Sequence, residues 1–228
     1  MPRADYPTGA VRGLIYKEEM KMDISKALRL YVIPDREIGA PKSLIRQTRE
    51  LLAGGATAIQ LRDKGLNGRD LLKAAKEMAA LCKASGAMFI VNDRLDIAIL
   101  SGAHGLHIGQ TDLPLLAAKE LSPTGFIIGV SAQTIEEAKL AEKQGAAYLG
   151  IGAVVPTSTK EADALGMEGV AKVAAAARLP SVAIGGISLG NAAEVMQTGV
   201  SGISLISAIV GKPDITEETK KFLEIVNG

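Results

Sequence analysis

The run "IQLRDKG" at 59–65 places Gln60, Arg62 and Lys64 at alternate positions, interleaved with the apolar Ile59 and Leu61. In extended chain alternate side chains share a face, so an amide and two cations point one way. Such a set is either a solvated rim, the usual fate of lysine, or a grip on an anion. Asp63 alternates to the other face and is expected to pair with a neighbour. Further on, "NDR" supplies Asn92 and Asp93, and "GQTD" supplies Gln110 and Asp112. One or two carboxylates with substrate phosphate oxygens and some waters suit magnesium. The same two aspartates suit helix N-caps equally well, since Asp is favoured there.

More polar groups follow at regular intervals: Ser131 in "GVSAQT", then Thr157, Thr159 and Lys160 in "PTSTK". Three cations on two separate loops, Arg62, Lys64 and Lys160, could neutralise a pyrophosphate together with a divalent ion. "AIGGIS", with Gly185 and Gly186, and "LISAIV", with Ser207, each lead from a strand candidate into a helix. Backbone N–H groups at such turns suit a phosphate. Two anion grips suggest two phosphorylated substrates. "GIGAVV" at 150–155 lacks the third glycine of a dinucleotide fingerprint. His107 falls within a strand candidate and His104 in a turn; with no third His or Cys nearby, a structural or positioning role suits His107 better than zinc ligation. Cys82, the only cysteine, lies in an apolar helical run and excludes an internal disulfide.

The elements that must carry these groups alternate. Strand candidates are 29–34, 57–62, 88–92, 105–109, 127–131, 147–152, 181–186 and 202–207. Helical patterns cover 41–53, 68–85, 94–101, 112–121, 133–144, 168–178, 189–199 and 207–226. Eight βα units in sequence imply a parallel sheet and fit a single α/β domain, a closed (β/α)8 TIM barrel. Residues 28–228 form the expected barrel, and 1–27 a short N-terminal extension with a short helix. Polar groups then collect at the C-terminal ends of nearly every strand, where such barrels keep their sites. The loop 154–166 is longer than the barrel needs.

Composition agrees and sets limits. Apolar residues make up 47% of the 228, aromatics only 3%, and Trp is absent, so the core is Ala, Val, Ile and Leu, as parallel strands covered by helices require. A net charge of +1 argues against nucleic acid or a membrane surface as partner. No apolar run approaches the roughly 18 residues of a membrane span, and the first residues lack a signal-peptide core. The expectation is a soluble, cytoplasmic protein.

The motifs "QLRDK" (60–64), "FIVNDR" (89–94), "GLHIGQTD" (105–112), "GVSAQT" (129–134), "GIGAVVPTSTK" (150–160), "VAIGGIS" (182–188) and "GISLIS" (202–207) together resemble the thiamine phosphate synthase family, in the same order along the chain. The resemblance implies a magnesium-dependent transferase that joins hydroxymethylpyrimidine pyrophosphate to thiazole phosphate, and a homodimer. It implies that Gln60, Arg62, Lys64, Asn92, Ser131 and Lys160 hold the pyrimidine pyrophosphate, with Arg62, Lys64, Ser131 and Lys160 catalytic. Asp93 and Asp112 bind magnesium. Thr157, Ser158 and Thr159, with Gly186, Ile206 and Ser207, hold the thiazole phosphate. Ser158 stands where the family often has proline, and the segment after Lys160 is short for the family. Rival readings are a thiazole tautomerase-like relative, which would not need the "QLRDK" cations or the aspartate pair, and a non-catalytic barrel that binds metabolites. A sugar-phosphate epimerase would want His and Asp metal ligands on inner strands, and only His107 is placed that way.

Overall fold

Runs of Val, Ile, Leu and Ala bounded by Gly and Asp turns fold into eight short strands in a computed structural model that describes residues 22–155 and 164–228. The strands are β1 (Leu30–Val32), β2 (Ala58–Leu61), β3 (Met88–Asn92), β4 (Gly105–Ile108), β5 (Ile127–Ala132), β6 (Tyr148–Gly152), β7 (Ser181–Ile184) and β8 (Gly202–Leu205). They close in sequence order into a parallel barrel, with β1 paired to both β2 and β8. The helices are α1 (Ile24–Ala27), α2 (Leu44–Ala53), α3 (Gly68–Ser85), α4 (Leu95–Ser101), α5 (Leu115–Leu121), α6 (Ile135–Gln144), α7 (Gly166–Ala176), α8 (Ala192–Gln197), α9 (Ser207–Val210) and α10 (Ile215–Asn227). The expected (β/α)8 barrel is the observed architecture.

Local chemistry starts and stops these helices. Ser43, Asn67 and Asp214 accept a backbone N–H at the N-termini of α2, α3 and α10. Thr134 and Glu137 form a reciprocal capping box on α6. Gly86 ends α3 at φ 71°, a left-handed conformation that costs glycine little. Most bounds fall within a few residues of those expected, and two of the differences have a plain local cause. The last helix, expected as one element over 207–226, is two, because Pro213 offers no N–H and Asp214 caps a fresh start. The helix expected from 112 starts at Leu115, after Pro114.

Strand alternation divides the core in two. Leu30, Val32, Ile59, Leu61, Phe89 and Val91 face outward under the helices. Tyr31, Ala58, Met88, Ile90, Tyr148 and Val182 fill the barrel, and Met22, Ile24 and Ala27 pack against them near the strand starts. Helix α10 buries Ile215, Phe222 and Val226 and packs on α2 and α8, so the C-terminal segment closes the outer layer. Each such side chain contributes about 1.5–3 kcal/mol when fully buried.

The interior accepts large rings because glycine lies opposite them. Gly129 and Tyr148 are register partners, and a Cβ on Gly129 would lie 2.0 Å from the Tyr148 ring. A Cβ on Gly150 would lie 2.9 Å from His107 Cε1. A chain with few aromatics thus places a tyrosine and a histidine across two glycine gaps in the middle of the barrel.

Candidate active site

The C-terminal ends of β2, β3 and β4 carry the charged half of the mouth. Asn92 ends β3, and Arg94 N–H donates to the Asn92 carbonyl at 2.6 Å, closing a three-residue turn around Asp93. Asp93 N–H donates to the His107 carbonyl at 2.9 Å, which pins the turn to β4. Its φ is 58°, the only positive value of a non-glycine residue among the described residues. Left-handed backbone costs a side-chain-bearing residue of order 1–3 kcal/mol and collects at functional sites. Asp112 is held differently: its Oδ2 accepts the Gly109 N–H at 2.7 Å, folding the "GQTD" turn onto itself.

Neither aspartate caps a helix. The N-cap of α4 is Arg94 and that of α5 is Pro114. Instead the two carboxyls meet. Asp93 is pushed up to about 6, first by burial, then by a hydrogen bond and charge repulsion from Asp112, while the charges of Lys64 and Arg62 pull it back. Two carboxylates and two cations from three successive strand ends therefore share one space. Arg62 and Lys64 act on Asp93 through charge alone, without a hydrogen bond. A pair of hard oxygen ligands that repel one another fits a magnesium ion, which takes one or two carboxylates and completes its octahedron with water and phosphate oxygens. Among the described residues no third His, Cys, Asp or Glu joins them.

Asp63, expected to pair with a neighbour, accepts from Arg36 Nε at 2.7 Å and from the Gly65 and Leu66 N–H groups at 2.8 and 2.9 Å. Those bonds hold its carboxyl below the usual range against the cost of burial.

Beneath the rim lies a polar layer. Gln60 is buried, and its Nε2 donates to the Tyr31 hydroxyl at 2.7 Å. The Tyr31 and Tyr148 hydroxyls are 3.1 Å apart, with the rings edge-on at 6.2 Å. His107 Nδ1 lies 3.0 Å from Tyr148 Oη, and its Nε2 lies 3.0 Å from Ser131 Oγ. The inward, structural reading of His107 holds. Gln110 Nε2 donates to the Ser131 carbonyl at 2.6 Å, tying the β4 loop to the end of β5. Tyr31 and Tyr148 were missing from the sequence-derived set. The signal available was their phase: each alternates with outward apolar residues in a strand, on the same face as Gln60 or His107.

The other half of the mouth is built of backbone. Gly185 and Gly186 have φ of 99° and 69°, and Asn191 Nδ2 donates to the Gly186 carbonyl at 3.1 Å. A Cβ on Gly186 would lie 2.6 Å from Val155 Cβ, so the loop leaving β6 passes directly over this turn. Ile206 and Ser207 begin α9 after β8. Thr157, Ser158, Thr159 and Lys160 lie outside the described residues. His104 Nδ1 accepts the Phe89 N–H at 3.0 Å, a structural contact. Cys82 is buried, and burial pushes its thiol up to about 12, as an inert side chain requires. Among the described residues no helix is long and apolar enough to cross a membrane.

Residues 30–209 match the family model described as thiamine monophosphate synthase. The chain belongs to that family. A thiamine-phosphate synthase of Coprothermobacter proteolyticus is 48% identical over 214 residues, 93% of this chain and 100% of that one. A solved structure of thiamine phosphate pyrophosphorylase from Pyrococcus furiosus is similar with a TM-score of 0.85 at 42% identity, over 90% of this chain and 98% of that one. Tryptophan synthase of Mycobacterium tuberculosis, at TM-score 0.65 and 16% identity, shares the fold alone. Within the thiamine monophosphate synthase family, both the aspartate pair and the "QLRDK" strand end of this chain stand in a barrel matched over nearly its full length.

Proposed function

We propose that this protein is a thiamine phosphate synthase: it transfers the hydroxymethylpyrimidine group from its pyrophosphate to the nitrogen of thiazole phosphate, giving thiamine phosphate and pyrophosphate. The reading is carried by the meeting of Asp93, Asp112, Arg62 and Lys64 at one rim, in a chain 48% identical to a thiamine-phosphate synthase.

Asp93 and Asp112 would hold Mg2+. When bound, that ion supplies positive charge to the pyrophosphate oxygens. Gln60, Asn92 and Ser131 would orient the pyrimidine. Arg62, Lys64 and Lys160 would grip the pyrophosphate and stabilise the charge that grows on it as the methylene C–O bond breaks. Groups that act more strongly on the transition state than on the ground state raise the rate. The electron-rich aminopyrimidine tolerates positive charge at that methylene, so the path is dissociative. Gly186, Ile206 and Ser207, with Thr157, Ser158 and Thr159, would hold the thiazole phosphate across the mouth. The thiazole nitrogen then forms the new C–N bond with its own electron pair. It carries no proton, so no protein base is needed.

The same proposal includes residues 28–228 as the catalytic barrel with 1–27 as an extension, a homodimer, and a cytoplasmic location. Mass analysis of the pure protein mixed with both substrates and magnesium tests the activity, with a chelator control. Chelator-sensitive thiamine phosphate is the expected result. Binding of either substrate without product would move the reading to a tautomerase-like or silent barrel.

A further inference from the structure

The polar layer under the rim has a direction. Gln60 Nε2 donates to the Tyr31 hydroxyl, so the single Tyr31 proton is free to go only onward, to the Tyr148 oxygen 3.1 Å away. Tyr148 Oη has then received one proton and gives its own to His107 Nδ1 at 3.0 Å. A neutral imidazole that accepts at Nδ1 carries its proton on Nε2. That proton goes to Ser131 Oγ at 3.0 Å. Ser131, having accepted, keeps its hydroxyl proton for whatever lies above it. Burial holds both phenols far above their ordinary range, so both stay protonated.

The other end of the relay is equally constrained. No buried side-chain nitrogen or oxygen among the described residues lacks a partner. Gln60 Oε1 takes no part in the relay and, with no partner among the described residues, is not fully enclosed; one N–H of the amide remains beside it. Turning the amide over would set Oε1 against a Tyr31 oxygen whose proton is already given to Tyr148, so a flip requires the whole chain to reverse.

We infer that Tyr31, Tyr148 and His107 are positioning residues whose one-way hydrogen-bond chain holds Gln60 with acceptor and donor in fixed order and holds Ser131 as a donor, and that this order selects a 4-aminopyrimidine over its 4-oxo analogue. The inference rests on the synthase reading for the identity of the ring. An aminopyrimidine edge offers an amine N–H beside a bare ring nitrogen, which complements an acceptor beside a donor. The 4-oxo ring offers the reverse, a carbonyl beside a ring N–H, and would leave like groups facing each other. Sites built on such pairs reject the wrong partner strongly because buried polar groups go unpaired.

Two measurements on the full chain test this. Long-range 15N NMR of the free protein reads the ring tautomer directly, and the chain has only two histidines, so His104→Asn identifies the His107 signals. The expected signal is Nε2–H, changing on Tyr148→Phe. An Nδ1–H tautomer in the wild-type protein would overturn the relay whatever the enzyme turns over. The second is the ratio of kcat/KM for 4-amino and 4-oxo pyrimidine pyrophosphates. The wild type should favour the amino substrate by about 100-fold or more. Tyr148→Phe should cut that ratio about tenfold, with the KM for thiazole phosphate unchanged. Tyr31→Phe frees the same amide and should cut the ratio too, so a poorly folded Tyr148→Phe leaves the test intact. An unchanged ratio in a folded variant of either tyrosine would overturn the inference. Absence of turnover with both pyrimidines would instead sink the synthase reading, and the ring assignment with it.

Discussion

Asp63 and Asp93 stand just beyond the ends of neighbouring strands, β2 and β3, and their environments drive their carboxyls in opposite directions. Asp63 collects an arginine and two backbone N–H groups, which hold it below the usual range. Asp93 meets another carboxyl in a partly buried place, on a backbone with φ of 58°, and is pushed up to about 6. The first has every partner it needs within the chain. The second is held where the chain itself cannot satisfy it, with two cations close by. A structural carboxylate and one poised for a ligand are told apart by this difference in satisfaction, and residue type says nothing about it.

Breaking the poised side should have the largest effect. Asp93→Ala and Lys160→Ala should each lower kcat about 100-fold or more, with circular dichroism and Tm showing the fold intact; near-wild-type turnover in both would remove the basis for the pyrophosphate grip. Breaking the structural side should act on stability. Asp63→Asn loses charge-assisted bonds to Arg36 and to the 65–66 backbone and should cost about 1–2 kcal/mol in urea unfolding, with turnover reduced far less than in Asp93→Ala.

Acidity should separate the two carboxylates as well. Asp93 has a raised folded pKa, so the metal-free protein carries its penalty above about pH 6 and sheds it as pH falls toward the unfolded value of 3.8. Asp93→Asn should therefore raise Tm at pH 8 without metal and lose that advantage near pH 4. Asp63 has a lowered folded pKa, so its stabilisation is present above 3.8 and disappears only as pH falls further. Magnesium should raise the wild-type Tm at pH 8 and leave that of Asp93→Asn nearly unchanged. The smallest change is expected from Arg36→Gln. Its guanidinium is exposed, and solvent screens exposed ion pairs so that they contribute little. A larger loss there would mean that the guanidinium, and not the 65–66 backbone, secures Asp63.

Most of the barrel was readable from local pattern. Strand candidates such as 88–92 match to the residue, because a buried parallel strand needs a short apolar run and its helix needs a 3.6-residue stripe with Asn, Thr or Ser before it and Gly after. The break at 211–214 was also written locally, in Pro213 and Asp214, though helical periodicity on both sides masked it. The polar strand ends could be found by combining alternation with the rule that such barrels work at one face.

What sequence determined by itself is therefore the order of elements, the residue types at the mouth and, through the motifs, the family. The tertiary structure decided which of those residues act on one another. Whether Asp93 and Asp112 cap helices or face each other depends on a left-handed turn and on two loops brought together by strand pairing. Tyr31 reaches Tyr148 across 117 residues, and Tyr148 reaches His107 across 41, because glycines at 129 and 150 leave room for the rings. Propensities and periodicities are short-range properties of the chain, whereas carboxylate repulsion and a directed hydrogen-bond chain exist only once closure of the barrel brings distant strands within a few ångströms.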